Sequence, residues 1–237
     1  MRFVRFFLAV IVLFTLAFFL YFLMLLVTPF DPDRTKRLGI TRFWTRLWQS
    51  ALGIASEVTG AENINEGGPF IFASNHISYL DFMVLNSDFP VFLCFLGKKT
   101  LMWVPFFGLG FPLAGHVYID RRNPESRLKS LDKMAERGRK GQHLLIFPGG
   151  KRAADGIIGE WKKGVFVLAI QMQRPVVPVA IIGSARLHGI GDLAPRPGTI
   201  KIKIGRPIST AGMTYDDRVR LLEQTREAVR EMINLAA

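Results

Sequence analysis

The stretch FFLAVIVLFTLAFFLYFLMLLV, Phe6 to Val27, contains no charged residue. As a helix rising 1.5 Å per residue it would be about 33 Å long, close to the ~30 Å hydrocarbon thickness of a bilayer. A segment of this kind must bury its sides in protein or lipid. The apolar core of a cleaved signal peptide runs to about 7–15 residues and ends at small residues, and this run is too long and lacks the A-x-A site, so it reads as a retained anchor. Arg2 and Arg5 precede it, and the more numerous Arg34, Lys36, Arg37, Arg42 and Arg46 follow it. The positive-inside rule then puts the main domain on the cytoplasmic side of the membrane. TRFWTRLWQSALGIAS, residues 41–56, places Trp44 and Trp48 one helical turn apart among arginines and reads as an interfacial helix. Residues 1–58 are therefore expected to form a membrane anchor with an interfacial helix, and residues 59–237 an α/β domain.

Composition agrees with a membrane setting. The 237 residues are 49% hydrophobic and carry a net charge of +12, a pairing that suits an anionic lipid surface. Arginines interleaved with aromatics could also bind nucleic acid, but beside an apolar span the lipid reading is favoured and no nucleic-acid partner is expected. The one cysteine, Cys94, cannot form an intramolecular disulfide and reads as a small core residue.

Beyond Gly60 short apolar runs alternate with helical patterns. GPFIFASNH, PVFLCFLGKK, GHVYID, HLLIFP and PVVPVAII read as strands, and TIKIKIGRP as an alternating strand at a sheet edge. SYLDFMVLNSD, the segment opened by Asn123-Pro124-Glu125, WKKGVFVLAIQMQ and Tyr215 to Leu235 read as helices. LMWVPFFGLGFPLAG, broken by prolines and glycines, reads as a buried loop or short helix. The fold class is α/β: a mixed sheet flanked by helices, with an N-terminal transmembrane or interfacial segment.

The stretch SNHISYLD, residues 74–81, follows one of these strands. His76 and Asp81 cannot face the same way inside one helix, because five residues at 100° separate them by about 140°. His76 must precede the helix, which leaves two readings of Asp81. With Ser78 it fits a capping box, S-x-x-D, or it accepts a hydrogen bond from a folded-back His76, whose other nitrogen is then a base. Zinc spacing such as H-E-x-x-H is absent and the other histidines are dispersed; no G-x-S-x-G elbow occurs; the Gly-Lys pairs at 97–98 and 150–151 lack the first glycine of a P-loop. A base without a neighbouring nucleophile points to a substrate hydroxyl as nucleophile and to direct transfer.

NHISYLD resembles the N-H-x4-D motif of the glycerolipid acyltransferases typified by 1-acyl-sn-glycerol-3-phosphate acyltransferase. LGKKTLMWVPFFGLG with GHVYIDRR resembles that family's second block, IFPGGKR its third, usually F-P-E-G-T-R-S, and PVVPVAI its fourth, in the family's order over about residues 60–185. The resemblance implies that His76 deprotonates the acceptor hydroxyl, Asp81 orients it, and Arg121 and Arg152 hold the acceptor phosphate, with Lys151, Gly149 and Gly150 in the same loop. It implies acyl transfer from an acyl-CoA or acyl carrier protein thioester, without metal or prosthetic group, to a lysophospholipid, foremost lysophosphatidate; membrane lipids, the lysophospholipid and the acyl donor are the implied partners. Other lyso-lipids, such as a lyso-ornithine lipid, or a lipid-binding role with weakened catalysis are the alternatives. Pro178 of the fourth block reads as a core strand residue, and Phe106, Phe107, Leu109 or Phe111 could line an acyl tunnel. Gly149 and Lys151 depart from the family's glutamate and threonine. A pocket without that carboxylate is expected to be wider and to discriminate weakly among acceptors.

Overall fold

The computed structural model describes residues 2–105, 107–150 and 158–235. Seven strands form one sheet: β1 (Ile54–Thr59), β2 (Ile71–Ser74), β3 (Leu93–Lys98), β4 (Val117–Ile119), β5 (His143–Ile146), β6 (Val176–Ile182) and β7 (Gly198–Ile204), in the order β1-β7-β6-β2-β5-β3-β4. β6, β2, β5, β3 and β4 are parallel; β7 is antiparallel to β6 and parallel to β1, so the sheet is mixed. The helices are α1 (Arg2–Val27), α2 (Thr35–Leu52), α3 (Leu80–Asp88), α4 (Phe107–Leu113), α5 (Pro124–Arg139), α6 (Gly164–Met172), the short α7 (Ser184–Leu187) and α8 (Arg218–Asn234).

The central strands are apolar on both sides, as helices on both faces of a parallel sheet require. Side chains alternate between two cores with the two-residue period of a strand. Ile71, Ala73, Leu144 and Ala180 join Met134, Phe166, Leu221 and Val229 from α5, α6 and α8. Phe72, Leu145, Val177, Val179 and Ile181 join Leu80, Val84, Leu85 and Phe111 from α3 and α4 on the other face. Pro178 is buried in β6 and lies just before the first β6–β7 pair, Val179 with Ile204, so its missing N–H interrupts little of that ladder.

Two readings change. Ile54 to Ser56, read as the tail of a helix, belong to β1; consequently β7 is second from the edge, with β1 outside it. Residues 99–113 are not wholly buried: a 3-10 turn, Lys99–Trp103, leaves Trp103 81% exposed before α4 begins. Two of the basic residues after α1, Arg37 and Arg42, are built into the protein. Arg37 is buried, with Nε 3.1 Å from Asp31 Oδ2, while Asp31 also accepts from the backbone N–H of Lys36 and Arg37 at the start of α2. Arg42 donates to the carbonyls of Asn86, Phe89 and Val91 and lies over the Phe92 ring. Both hold elements together as well as carrying charge.

α1 is long and apolar enough to cross a membrane. From Leu13 onward it lies against α2 and the domain: Trp44 Nε1 donates to Leu13 O at 3.1 Å, Phe14 meets Trp48 edge-on, and Met24 meets Leu38 and Ala114. α1 and α2 are thus an antiparallel pair. The opposite side of α1 exposes Phe7, Ile11, Phe19, Phe22 and Leu26.

Candidate active site

β2 ends at Ser74, and the next side chain continues the work of the strand. Asn75 is buried; its Nδ2 donates to Ile181 O and its Oδ1 accepts from Ile181 N, both at 2.8 Å, fastening the chain to β6 one step past the ladder. His76 consequently emerges at the carboxyl edge of the parallel strands, where open α/β sheets place their ligands. The chain then turns into α3. Asp81 Oδ2 accepts from His76 Nδ1 at 2.8 Å and from the backbone N–H of Ile77 and Ser78 at 2.7 and 2.9 Å. Ser78 Oγ accepts from Leu80 N–H at 3.2 Å. Orienting the ring and holding the Ser78 N–H ahead of the helix are done by one carboxylate oxygen, while the N-cap position of α3 falls at Tyr79, without the side-chain cap bond that a Ser78 capping box requires.

Asp81 is wholly buried, whereas the His76 side chain is 18% exposed. The ring is stacked on Phe147, with centroids 4.2 Å apart and planes inclined by 18°. With Nδ1–H directed at the carboxylate, Nε2 holds the lone pair and is the nitrogen available for chemistry. Nearby hydroxyls are occupied: Ser74 Oγ donates to Asn75 O, and Ser78 Oγ to His188 O. The Cys94 thiol donates to Gly115 O, and burial pushes its pKa up to about 12.

Phe147 links the base to a second cluster. It follows β5, and the turn after it is closed by Gly150 N–H donating to Phe147 O at 3.0 Å. Gly150 has φ +69°, a conformation that glycine adopts without steric cost. Arg121, two residues beyond β4, reaches this loop: its Nη1 lies 4.0 Å from where a Cβ on Gly150 would stand. Burial draws the Arg121 guanidinium's pKa down from its ordinary value. Neighbouring Asp120 pairs with Lys99 instead, at 3.6 Å.

A family model described as Acyltransferase matches residues 55–182. The chain belongs to the acyltransferase family. It is 33% identical over 209 residues to a 1-acyl-sn-glycerol-3-phosphate acyltransferase of Pseudomonas aeruginosa, covering 84% of this chain and 75% of that one. It is 30% identical over 190 residues to the enzyme of that name from Cocos nucifera, covering 79% of this chain and 61% of the relative. Against other curated relatives it spans 58% to 65% of their length. The crystal structure of the 1-acyl-sn-glycerophosphate (LPA) acyltransferase from Thermotoga maritima shares the fold, with a TM-score of 0.76, 24% identity and 98% of both chains covered.

In this member of the family the structure brings His76 together with Asp81, and Arg121 together with Gly150; Gly149 lies in the turn between Phe147 and Gly150. Lys151 and Arg152 lie outside the described residues, as does Phe106. Phe107 and Phe111 line a narrow cavity of about 60 Å³ between α1, α2, α3 and α4, and Leu109 points outward, 60% exposed. His116 and His143 are structural. His116 Nδ1 accepts from Phe95 N–H and His143 Nδ1 from Phe70 N–H, and burial lowers the His116 pKa to about 3. Among the described residues no group of His, Cys, Asp or Glu is arranged to hold a metal ion. Sequence reasoning passed over Asn75 and Phe147, although both stand inside quoted motifs. Their value depends on β6 and β2 being neighbours of one another and of β5, which is not written in local spacing.

Proposed function

We propose that the chain transfers an acyl group from a thioester, acyl-CoA or acyl carrier protein, to the free hydroxyl of lysophosphatidate, making phosphatidate at the membrane surface. The observation that carries this reading is the His76–Asp81 pair at 2.8 Å with a partly open ring at the carboxyl edge of the strands. His76 Nε2 takes the proton of the acceptor hydroxyl as its oxygen attacks the thioester carbonyl. Asp81 stabilises the imidazolium that results. The tetrahedral intermediate collapses with cleavage of the C–S bond and formation of the ester C–O bond, and the departing sulfur takes the proton back from His76. No acyl-enzyme forms, in keeping with hydroxyls already committed to backbone carbonyls.

Arg121 contacts the acceptor phosphate beside the Phe147–Gly150 loop, and Lys151 and Arg152 follow Gly150 in sequence. An acyl chain has an apolar way in between α1 and the domain, along Phe82, Phe107 and Phe111. The exposed phenylalanines of α1 face lipid, and the catalytic domain lies on the cytoplasmic side.

The test is product identification. Purified full chain in mixed micelles receives acyl-CoA or acyl carrier protein thioester with a set of lyso-lipids, and products are identified by mass. Phosphatidate is expected. Acylation of a different lyso-lipid alone would reassign the acceptor, and a folded protein that acylates none would refute the enzymatic reading.

A further inference from the structure

A lysine outside the recognised motifs converges on the same point as Arg121. Lys162 lies 12 residues beyond Gly150 in sequence, yet its Nζ is 3.8 Å from where a Gly150 Cβ would stand, and Arg121 Nη1 is 4.0 Å from that point. The lysine backbone is fixed there. Lys162 N–H donates to Pro148 O at 3.1 Å, and Trp161 beside it is buried and stacked on Phe166. Among the described residues no carboxylate pairs with either cation, and Asp120 is turned to Lys99. Two like charges converging on one point above a glycine, with no carboxylate between them among the described residues, are arranged for an anion, since unrelieved they repel one another.

We propose that Lys162, with Arg121, forms a two-cation cradle for a phosphomonoester and makes the acceptor site selective for a dianionic phosphate. This rests on the function proposed above and extends it. Gly150 contributes by having no side chain in the space, and its φ of +69° explains how the loop passes beneath it. Selectivity here comes from charge: a phosphomonoester carries nearly two negative charges above its second pKa of about 6, and a phosphodiester head group only one. Such a cradle predicts discrimination by head-group charge where loss of the glutamate alone predicts little, because the lost glutamate would bear on acceptor hydroxyls and the cations bear on the phosphate.

Phosphate groups also occur on coenzyme A, so the experiment separates the two sources. KM is measured for lysophosphatidate, lysophosphatidylglycerol and acyl-CoA in wild type, Lys162→Ala and Lys162→Arg. Lys162→Ala should raise KM for lysophosphatidate by about tenfold or more, leave KM for lysophosphatidylglycerol and acyl-CoA within about twofold, and leave kcat nearly unchanged. Lys162→Arg, which keeps the charge, should recover most of the loss. In wild type, KM for lysophosphatidate should climb as the pH falls through about 6, and Lys162→Ala should flatten that climb. An unchanged lysophosphatidate KM, an equal rise for all three substrates, or a rise for acyl-CoA alone overturns the cradle while the proposed reaction stands. Wild type that forms no phosphatidate removes the proposed reaction, and the cradle with it.

Discussion

Replacing Asp81 by alanine should cost far more stability than the loss of an ordinary exposed cap. Oδ2 receives two backbone N–H groups, from Ile77 and Ser78, in addition to His76, and the side chain has no solvent exposure. An exposed cap is worth about 0.5–2 kcal/mol. Here two buried donors would be stranded at about 1–3 kcal/mol each, giving about 2–6 kcal/mol. A chain of this size loses about 2–4 °C of melting temperature per kcal/mol, so Asp81→Ala should melt roughly 4–24 °C lower. Asp81→Asn keeps an acceptor oxygen for both N–H groups and should recover at least half of that loss. It lacks the charge that stabilises the imidazolium, so its turnover should remain about tenfold or more below wild type. Melting in detergent by circular dichroism, paired with thiol-release rates at 15 °C on the same samples, measures both. Asp81→Ala melting within 2 °C of wild type, or Asp81→Asn melting no higher than Asp81→Ala, would show that the carboxylate does not hold the turn.

Other consequences are open to direct test. Arg121→Ala should raise KM for lysophosphatidate by about tenfold while that for the acyl donor moves little; equal changes in initial-rate measurements would give Arg121 a folding role. Initial-rate lines at varied donor and acceptor should intersect, as direct transfer requires, and parallel lines would indicate an acyl-enzyme. His116 is neutral in the fold, its pKa lowered from 6.5 to about 3 by burial, so between those values the unfolded chain binds the extra proton. Stability should therefore be unaffected above about pH 6.5 and fall on acidification below it, by up to about 1.4 kcal/mol per pH unit. Melting curves of wild type and His116→Gln from pH 7.5 to 5 should converge on acidification, and parallel curves would dismiss this origin.

The readable parts of the fold were those whose physics is local. The apolar runs at residues 71–73 and 144–146 are buried in β2 and β5, and Asn123-Pro124-Glu125 does open α5, with Asn123 Oδ1 accepting from Ser126 N–H at 3.0 Å. β1 escaped because IASEVT follows a tryptophan-bearing helix directly and exposes much of its outer side at the sheet edge, so its pattern extended the helix in the sequence. The His76–Asp81 pair was legible from spacing, since the only way to join them was a turn before a helix. That one oxygen serves both the ring and the turn was not, because it depends on the geometry of three converging N–H groups. Lys162 was invisible for a different reason. It stands twelve positions after Gly150, and among the described residues it is the hydrogen bond from its backbone N–H to Pro148 O that returns it to the loop.

The central claim is that His76 is the base that activates the acceptor hydroxyl. Asp81 keeps both backbone N–H bonds when the ring is removed, so His76→Ala is expected to fold. The decisive measurement is kcat for phosphatidate formation by His76→Ala, made below its melting temperature and beside wild type. The account predicts a loss of about 10²–10⁴ in kcat, the usual worth of a general base. Folded His76→Ala protein turning over within a factor of about three of wild type would contradict it.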